Sequence, residues 1–282
     1  MSFEILDTLS LPGDPAKANE DAFAAETSAA VVFDGATRLS DNLMPGPSDA
    51  AWIANFGARR LMAHLRDGAG PRDALRRALA EAEKSYAGLR RRPPQETYEI
   101  PFASMMLAVV TTDGFEALWF GDCAALVLHP GQAIDIVGEA FDKRAGEARS
   151  AKLLADAKGL APAAGLSRAE YLPHIRAGRN RTNSDGGGWQ FSPDVRAAEH
   201  VSAKTVHAEA GALVLLCTDG FLALASDYGA YDAKGLIEAA RGKGLAELGR
   251  ELRALEAEDA LGLRFPRLKT SDDATAVLLR VA

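Results

Sequence analysis

FASMMLAVVTTDGFEALWFGDCAALVLHPGQAIDIV, residues 102–137, decides how this chain is built. FASMMLAVV and FEALWF are apolar runs of strand length, and Thr112-Asp113-Gly114 between them is a strong two-residue hairpin signal. AALVL follows Gly121-Asp122-Cys123, and a further strand follows Pro130-Gly131. The stretch therefore predicts a β-meander. Working upstream, AAVVF (29–33) is a short strand ending at Asp34-Gly35, and FEILDTLSL (3–11) alternates loosely as a strand. Between these strands and the meander lie two helices. Ser48 can N-cap the first, in which Trp52, Ile53, Phe56, Leu61 and Leu65 recur at helical spacing. Gly68 and Gly70 close it, and Pro71 opens the second through Leu75, Leu79, Ala82, Tyr86 and Leu89. Arg90-Arg91-Arg92-Pro93-Pro94 stops that helix.

Downstream, residues 140–200 are polar and rich in Ala, Arg and Gly, with too few large apolar residues for a core of their own. They predict a partly helical, flap-like insertion in a single domain covering 1–282. Strand character returns in ALVLLC (212–217), stopped by Thr218-Asp219-Gly220. Two helical patterns cover 232–258, and ATAVLLRV (274–281) is a last strand entered through Ser271-Asp272-Asp273. Strand blocks separated by helical blocks point to an α+β layer architecture, antiparallel sheets covered by helices.

With 282 residues, 48% hydrophobic and 25% charged, the chain is long enough to bury a core without disulfides or structural metal. Its 32 basic and 39 acidic residues leave a net charge of −7, which argues against a partner bound through nucleic-acid phosphates. Two cysteines, Cys123 and Cys217, cannot make a cysteine cage and read as buried, inert thiols. The opening MSFEILDTLSLPGD does not read as a signal peptide, and no apolar run approaches the ~20 residues that span a bilayer. A reducing cytoplasm is the expected setting, with no membrane partner.

The acids have a pattern. Asp34 follows VVF, Asp122 follows LWFG, Asp219 follows VLLCT, and Asp272 precedes ATAVLLRV. Glu20 and Asp21 stand before a short strand of their own. A single Asp-Gly is by default turn chemistry, and Asp113-Gly114 is fully accounted for in that way. Several acids at apolar strand ends are different, because like charges brought together in a fold need cations. Carboxylates and carbonyls without thiolates, and with few histidines, select hard ions such as Mg²⁺ or Mn²⁺. A pair of such ions can activate water and clamp a phosphoryl group.

Five strings, taken in order, resemble the metal-dependent protein phosphatases of the protein phosphatase 2C type. NEDAF (19–23) is similar to the family's first acidic motif and VVFDGAT (31–37) to its Asp-Gly motif. WFGDCAALVL (119–128) resembles its Gly-Asp-Ser motif, with Cys123 in the serine position. LLCTDGF (215–221) and SDDATAVLL (271–279) resemble the two C-terminal motifs. The resemblance implies a four-layer αββα sandwich, two antiparallel sheets face to face with helices on both outer sides. It implies a site for two Mn²⁺ or Mg²⁺ ions and a third, weaker one. Asp34 would bridge the two; Glu20 and the Gly35 carbonyl would hold one, Asp219 and Asp272 the other. Asp122, with Asp219, would serve the third, and Asp21 would act on water. Asp273 would take over as ligand if the register slipped by one.

The implied reaction is attack of a metal-bridging hydroxide on a phosphoserine or phosphothreonine monoester, with no phospho-enzyme, in opposition to a protein kinase. Two departures bear on phosphate binding. The family's arginine four residues before the acidic Glu is Ala16 here, beside Lys17, and its His or Gly pair after Asp-Gly is replaced by Ala36-Thr37-Arg38. Arg38, three residues past Gly35, is the stronger candidate for the phosphate grip, since a guanidinium is suited to bidentate phosphate contact. Arg267 and Lys269 approach the same rim, as phosphate attractors or as counter-charges to the acids. Arg176, Arg179 and Arg181 lie in the insertion. A regulatory pseudophosphatase that binds phosphate without turnover, or a phosphatase of a small phosphomonoester, fits the same strings.

Overall fold

Two five-stranded sheets, antiparallel at every pairing, carry the chain. The computed structural model describes residues 1–161, 163 and 169–282, and their side chains apart from those at 142–145, 147 and 154. One sheet runs β1 (Phe3–Leu11), β10 (Ala274–Val281), β9 (Leu213–Cys217), β6 (Ala124–Leu128), β7 (Ile134–Val137). The other runs β2 (Asp21–Ala25), β3 (Ala29–Gly35), β4 (Ala103–Thr111), β5 (Gly114–Phe120), β8 (Ser202–His207).

The central strands are apolar on both faces because both faces are covered. In β3, Ala30 and Val32 face the opposite sheet, where they pack with Met106, Val127, Val214, Leu216 and Val277. Val31 and Phe33 face outward onto α1 (Asp49–Arg66) and α2 (Pro71–Leu89), through Ile53, Leu61, Leu75 and Leu79. In β9 the outward residues Leu213, Leu215 and Cys217 meet α5 (Asp219–Ser226), α6 (Ala233–Lys243) and α7 (Leu245–Glu258). The result is the αββα sandwich. Ser48 caps α1 by accepting from Ala51 N at 3.2 Å, and Gly70-Pro71 starts α2, both where the sequence puts them.

Three local expectations change. Residues 102–137 do not form one meander: β4 and β5 pair in one sheet, β6 and β7 in the other, so Gly121-Asp122-Cys123 carries the chain between sheets. Runs buried on both faces give no sign of which sheet they join. Gly121 makes the crossing possible, with φ of +73° and a would-be Cβ only 2.1 Å from Ser104 Oγ. Second, Thr218-Asp219-Gly220 is not a terminating turn; Asp219 begins α5. Third, β8 appears at 202–207, an edge strand whose polar, largely exposed residues hid it. The expected insertion contains α3 (Ala140–Lys158), α4 (Leu172–Arg179) and a 3₁₀ stretch, Val195–His200; its residues 162 and 164–168 lie outside the described ones. Phe191 is fully buried edge-to-face on Phe33 at 5.1 Å, so the segment rejoins the sandwich there.

Candidate metal centre

Strand alternation explains why the acids meet. Ala30, Val32 and then Asp34 lie on the inner face of β3, and Val214, Leu216 and then Thr218 continue the inner row of β9. At one rim of the sandwich the apolar rows thus turn polar together. Asp21 pairs in register with Asp34, and Asp34 with Ser104 on β4. The sheets are tied there by Thr218, whose hydroxyl donates to Asp21 Oδ2 at 2.8 Å and accepts from Thr275 N at 3.0 Å. Asp34, Asp122, Asp219 and Asp272 line one cavity of about 520 Å³, together with Gly35.

Each acid is held by its own frame. Ser104 Oγ donates to Asp122 Oδ1 at 2.5 Å. Glu20 accepts from Ser48 Oγ and from Thr37 Oγ1, each at 2.5 Å, and so uses both carboxylate oxygens. Asp273 accepts from Gly13 N at 2.7 Å and Glu20 N at 2.5 Å, which makes it a backbone brace rather than a cavity-lining acid. Asp272 faces the cavity and accepts from Lys269 Nζ at 2.6 Å. Glycine is required at two of these points. A Cβ on Gly35 would stand 2.5 Å from Glu20 O, and one on Gly220 would stand 2.0 Å from Asp273 O.

The electrostatics record the crowding. Burial lifts the Asp34 carboxyl well above the usual carboxylate range, and Asp219, Asp21, Asp272 and Asp122 add to the shift by repulsion. Asp21 is raised in the same way, by burial first, with Asp273 and Asp272 contributing and the Thr218 hydrogen bond opposing. For Lys269, burial favours the neutral amine, but Asp272, Asp34 and Asp219 outweigh it and hold the ammonium charged. Cys123 and Cys217 are buried and their thiols are pushed up, so neither is a reactive thiolate.

The donors suit a hard divalent cation: oxygen only, several ionisable, with Asp21 Oδ1 buried and lacking any hydrogen-bond partner. Their arrangement is not closed around an ion, since among the described residues no three or more His, Cys, Asp or Glu are grouped to hold one. Lys269 on Asp272 and the two hydroxyls on Glu20 occupy oxygens that an ion would use.

Of the phosphate-grip candidates, Arg38 is exposed and donates to Ser40 O at 3.2 Å, outside the cavity lining. Lys17 is 79% exposed and pairs with Asp14 at 3.2 Å. Arg267 is spent on structure, bonding Asp259 and the carbonyls of Glu256, Phe265 and Thr270. Arg179, from α4, does line the cavity. Sequence reasoning left it among three insertion arginines, because only the docking of α4 distinguishes it. Ser104, Thr218 and Thr37 had no signal beyond their neighbourhood to the acids.

A sandwich of this topology, acidic at one rim, is the fold of the metal-dependent serine/threonine protein phosphatases. The serine/threonine phosphatase PstP/Ppp of Mycobacterium tuberculosis is similar at a TM-score of 0.59 and 16% identity, over 100% of this chain and 99% of that one. The catalytic domain of PstP in complex with two manganese ions superposes at 0.53 and 16% identity, over 100% and 99%. MsPP of Mycobacterium smegmatis, a PPM Ser-Thr phosphatase in complex with cacodylate, superposes at 0.57 and 16% identity, over 99% of each chain. No protein-family model matches the sequence and no curated protein is similar to it at sequence level. At such identities the likeness establishes the fold. Among the described residues no helix is long and apolar enough to cross a membrane.

Proposed function

We propose that this chain is a metal-dependent phosphomonoesterase acting on phosphoserine or phosphothreonine in proteins, opposing a kinase. One observation carries the reading: aspartates from four separate chain segments line one cavity in a fold shared with serine/threonine phosphatases. Asp34, Glu20 and the Gly35 carbonyl, with Asp219 and Asp272, are the groups that would hold two Mn²⁺ or Mg²⁺ ions, and Asp122 a weaker third. When bound, such ions supply Lewis acidity and make water nucleophilic near neutral pH. The chain's own part is positioning. Asp21 is fixed through Oδ2 by Thr218, which leaves Oδ1 to accept a hydrogen bond from the attacking water. Water adds to phosphorus, the ester P–O bond breaks, and the departing serine or threonine oxygen takes its proton from solvent. Residues 140–200 would act as a flap, since α4 borders the cavity.

A second reading, a phosphate-binding module without turnover, is favoured by Lys269 on Asp272. One experiment separates them. With Mn²⁺, the wild type should hydrolyse an aryl phosphate and phosphopeptides, and Asp34→Asn or Asp219→Asn should lose more than ~100-fold, beyond the cost of losing an outer partner. Wild-type turnover no greater than that of the two variants removes the enzyme reading. Turnover of aryl phosphate without phosphopeptides moves the substrate to a small phosphomonoester.

A further inference from the structure

Two observations set a problem for any phosphate-handling role of this cavity. Arg38 and Lys17, the cations nearest the acidic motifs in sequence, both point elsewhere. Meanwhile a guanidinium from a distant segment has been brought in. Arg179 stands at the C-terminal end of α4 and borders the cavity beside Gly35, Ala36 and Thr37.

Its hydrogen bonding is incomplete in an informative way. Nη1 donates to Thr37 O at 2.6 Å. Among the described residues that is its one hydrogen bond, and no carboxylate forms an ion pair with it, so Nε and Nη2 keep their donors available. A structural arginine in this protein looks different: Arg267 spends Nε, Nη1 and Nη2 on five acceptors. Burial lowers the Arg179 pKa to about 10, with Glu20 and Asp34 acting in the other direction. It therefore remains a cation at neutral pH, held off water with a fork unfilled. Desolvating a guanidinium without pairing it is costly, and an anionic ligand would recover that cost.

The helix that carries it is fastened. Arg176, one turn earlier, donates from Nε and Nη2 to Leu39 O at 3.1 and 2.5 Å, and its guanidinium lies 4.7 Å over the Tyr98 ring. Asn180 accepts from Tyr98 N at 2.9 Å and donates to Glu96 at 3.2 Å. Arg179 and Arg176 thus clip α4 onto the 37–39 segment that directly follows Asp34-Gly35. A preset fork loses less freedom on binding than a surface arginine would.

We propose that Arg179 binds the phosphate dianion of the substrate, a role the sequence assigns to neither Arg38 nor Lys17. This deepens the phosphatase reading and rests on it for the word substrate, though phosphate binding can be measured without turnover. Calorimetry with inorganic phosphate, in the presence of Mn²⁺, would compare wild type with Arg179→Met, Arg179→Lys, Arg176→Ala and Arg38→Ala. Loss of a charge-assisted fork predicts phosphate affinity ~10- to 100-fold weaker in Arg179→Met, with Arg179→Lys between it and wild type. Arg38→Ala should stay within about twofold of wild type, as an exposed charge. Arg176→Ala loosens the helix but leaves the fork, and should lose less than Arg179→Met. With an aryl phosphate, Arg179→Met should raise KM by a factor similar to its loss of phosphate affinity, whereas a melted helix would show as a lower Tm.

Three results overturn the proposal: phosphate affinity unchanged in Arg179→Met, equal losses in Arg176→Ala and Arg179→Met, or no phosphate binding by wild type. Arg179-dependent phosphate binding without hydrolysis of any ester would leave it standing and remove the phosphatase reading instead.

Discussion

Replacing Lys269 by Met separates the chain's own counter-charge from any metal. The ammonium sits 2.6 Å from Asp272 Oδ1, with both side chains 28% exposed. Removing one partner costs ~0–1 kcal/mol at a surface pair and ~3–5 kcal/mol at a fully buried one, so this half-buried pair should be worth about 2 kcal/mol. Met keeps the length of the stem, so the loss is charge rather than packing. In EDTA at pH 7.5 the variant should therefore melt roughly 4–8 °C below wild type, at about 2–4 °C per kcal/mol for a domain of this size. Mn²⁺ should reverse the order of effects. With Lys269 gone, Asp272 is free and a positive neighbour is absent, so Mn²⁺ should bind about tenfold tighter, which is ~1.4 kcal/mol. Titrating Mn²⁺ against melting temperature in both proteins reads the two terms at once, since ion at 100 times Kd adds ~2.7 kcal/mol. The reasoning fails if the EDTA melting points coincide, or if the gap between the proteins is the same with and without Mn²⁺.

Other outcomes follow from the same site. Asp21 and Asp34 have carboxyls raised above their unfolded value, chiefly by burial, so the folded protein holds protons that the unfolded chain releases. Metal-free stability should accordingly fall as pH rises from ~4 through the folded values, and Mn²⁺ should oppose the fall; a melting point in EDTA that climbs over that range contradicts it. Gly35→Ala puts a methyl 2.5 Å from Glu20 O and 2.7 Å from Ala50 O, both backbone, and should cost more than ~2 kcal/mol in urea unfolding. Thr218→Val removes the hydroxyl joining the two sheets and leaves Asp21 with neither oxygen bonded to it; a loss of ~1–3 kcal/mol by denaturation is expected, and full stability would show the link to be idle.

What the sequence made legible is what a local pattern encodes. Apolar runs marked β3, β4, β5, β6, β9 and β10, and the Ser48 and Gly70-Pro71 signals marked the starts of α1 and α2. The aspartates could be picked out because each ends or precedes such a run. Strand-to-sheet assignment was not legible, because Met106 and Leu126 look alike as sequence although they belong to different sheets. Edge strand β8 was missed because Ser202, Lys204 and Thr205 have no apolar face to show. Arg179 escaped for a different reason. Its place depends on contacts more than 130 residues away, to Thr37, and nothing within α4 distinguishes its charge from that of Arg176.

The frame around the acids shows what their clustering requires. Asp122, Glu20, Asp21 and Asp273 are each fixed by a hydroxyl or backbone donor from another segment, so their positions are set by the sandwich itself. Fixing carboxylates this close together accumulates repulsion, which is why Asp34 and Asp21 resist ionisation. Lys269 and Arg179 relieve part of it with charges carried by the chain, one from the loop before β10 and one from α4. Those two cations differ in what they leave open. Lys269 closes on Asp272, so an ion using that oxygen must displace it. Arg179 closes only on a carbonyl and keeps its fork directed at no acid. The site thus meets a cation with competition from Lys269 and an anion with an unfilled donor pair, and an ion displacing Lys269 would also free its ammonium beside the cavity. Loading with Mn²⁺ should therefore strengthen phosphate binding, and phosphate affinity measured with EDTA equal to that with Mn²⁺ would show the two to be uncoupled.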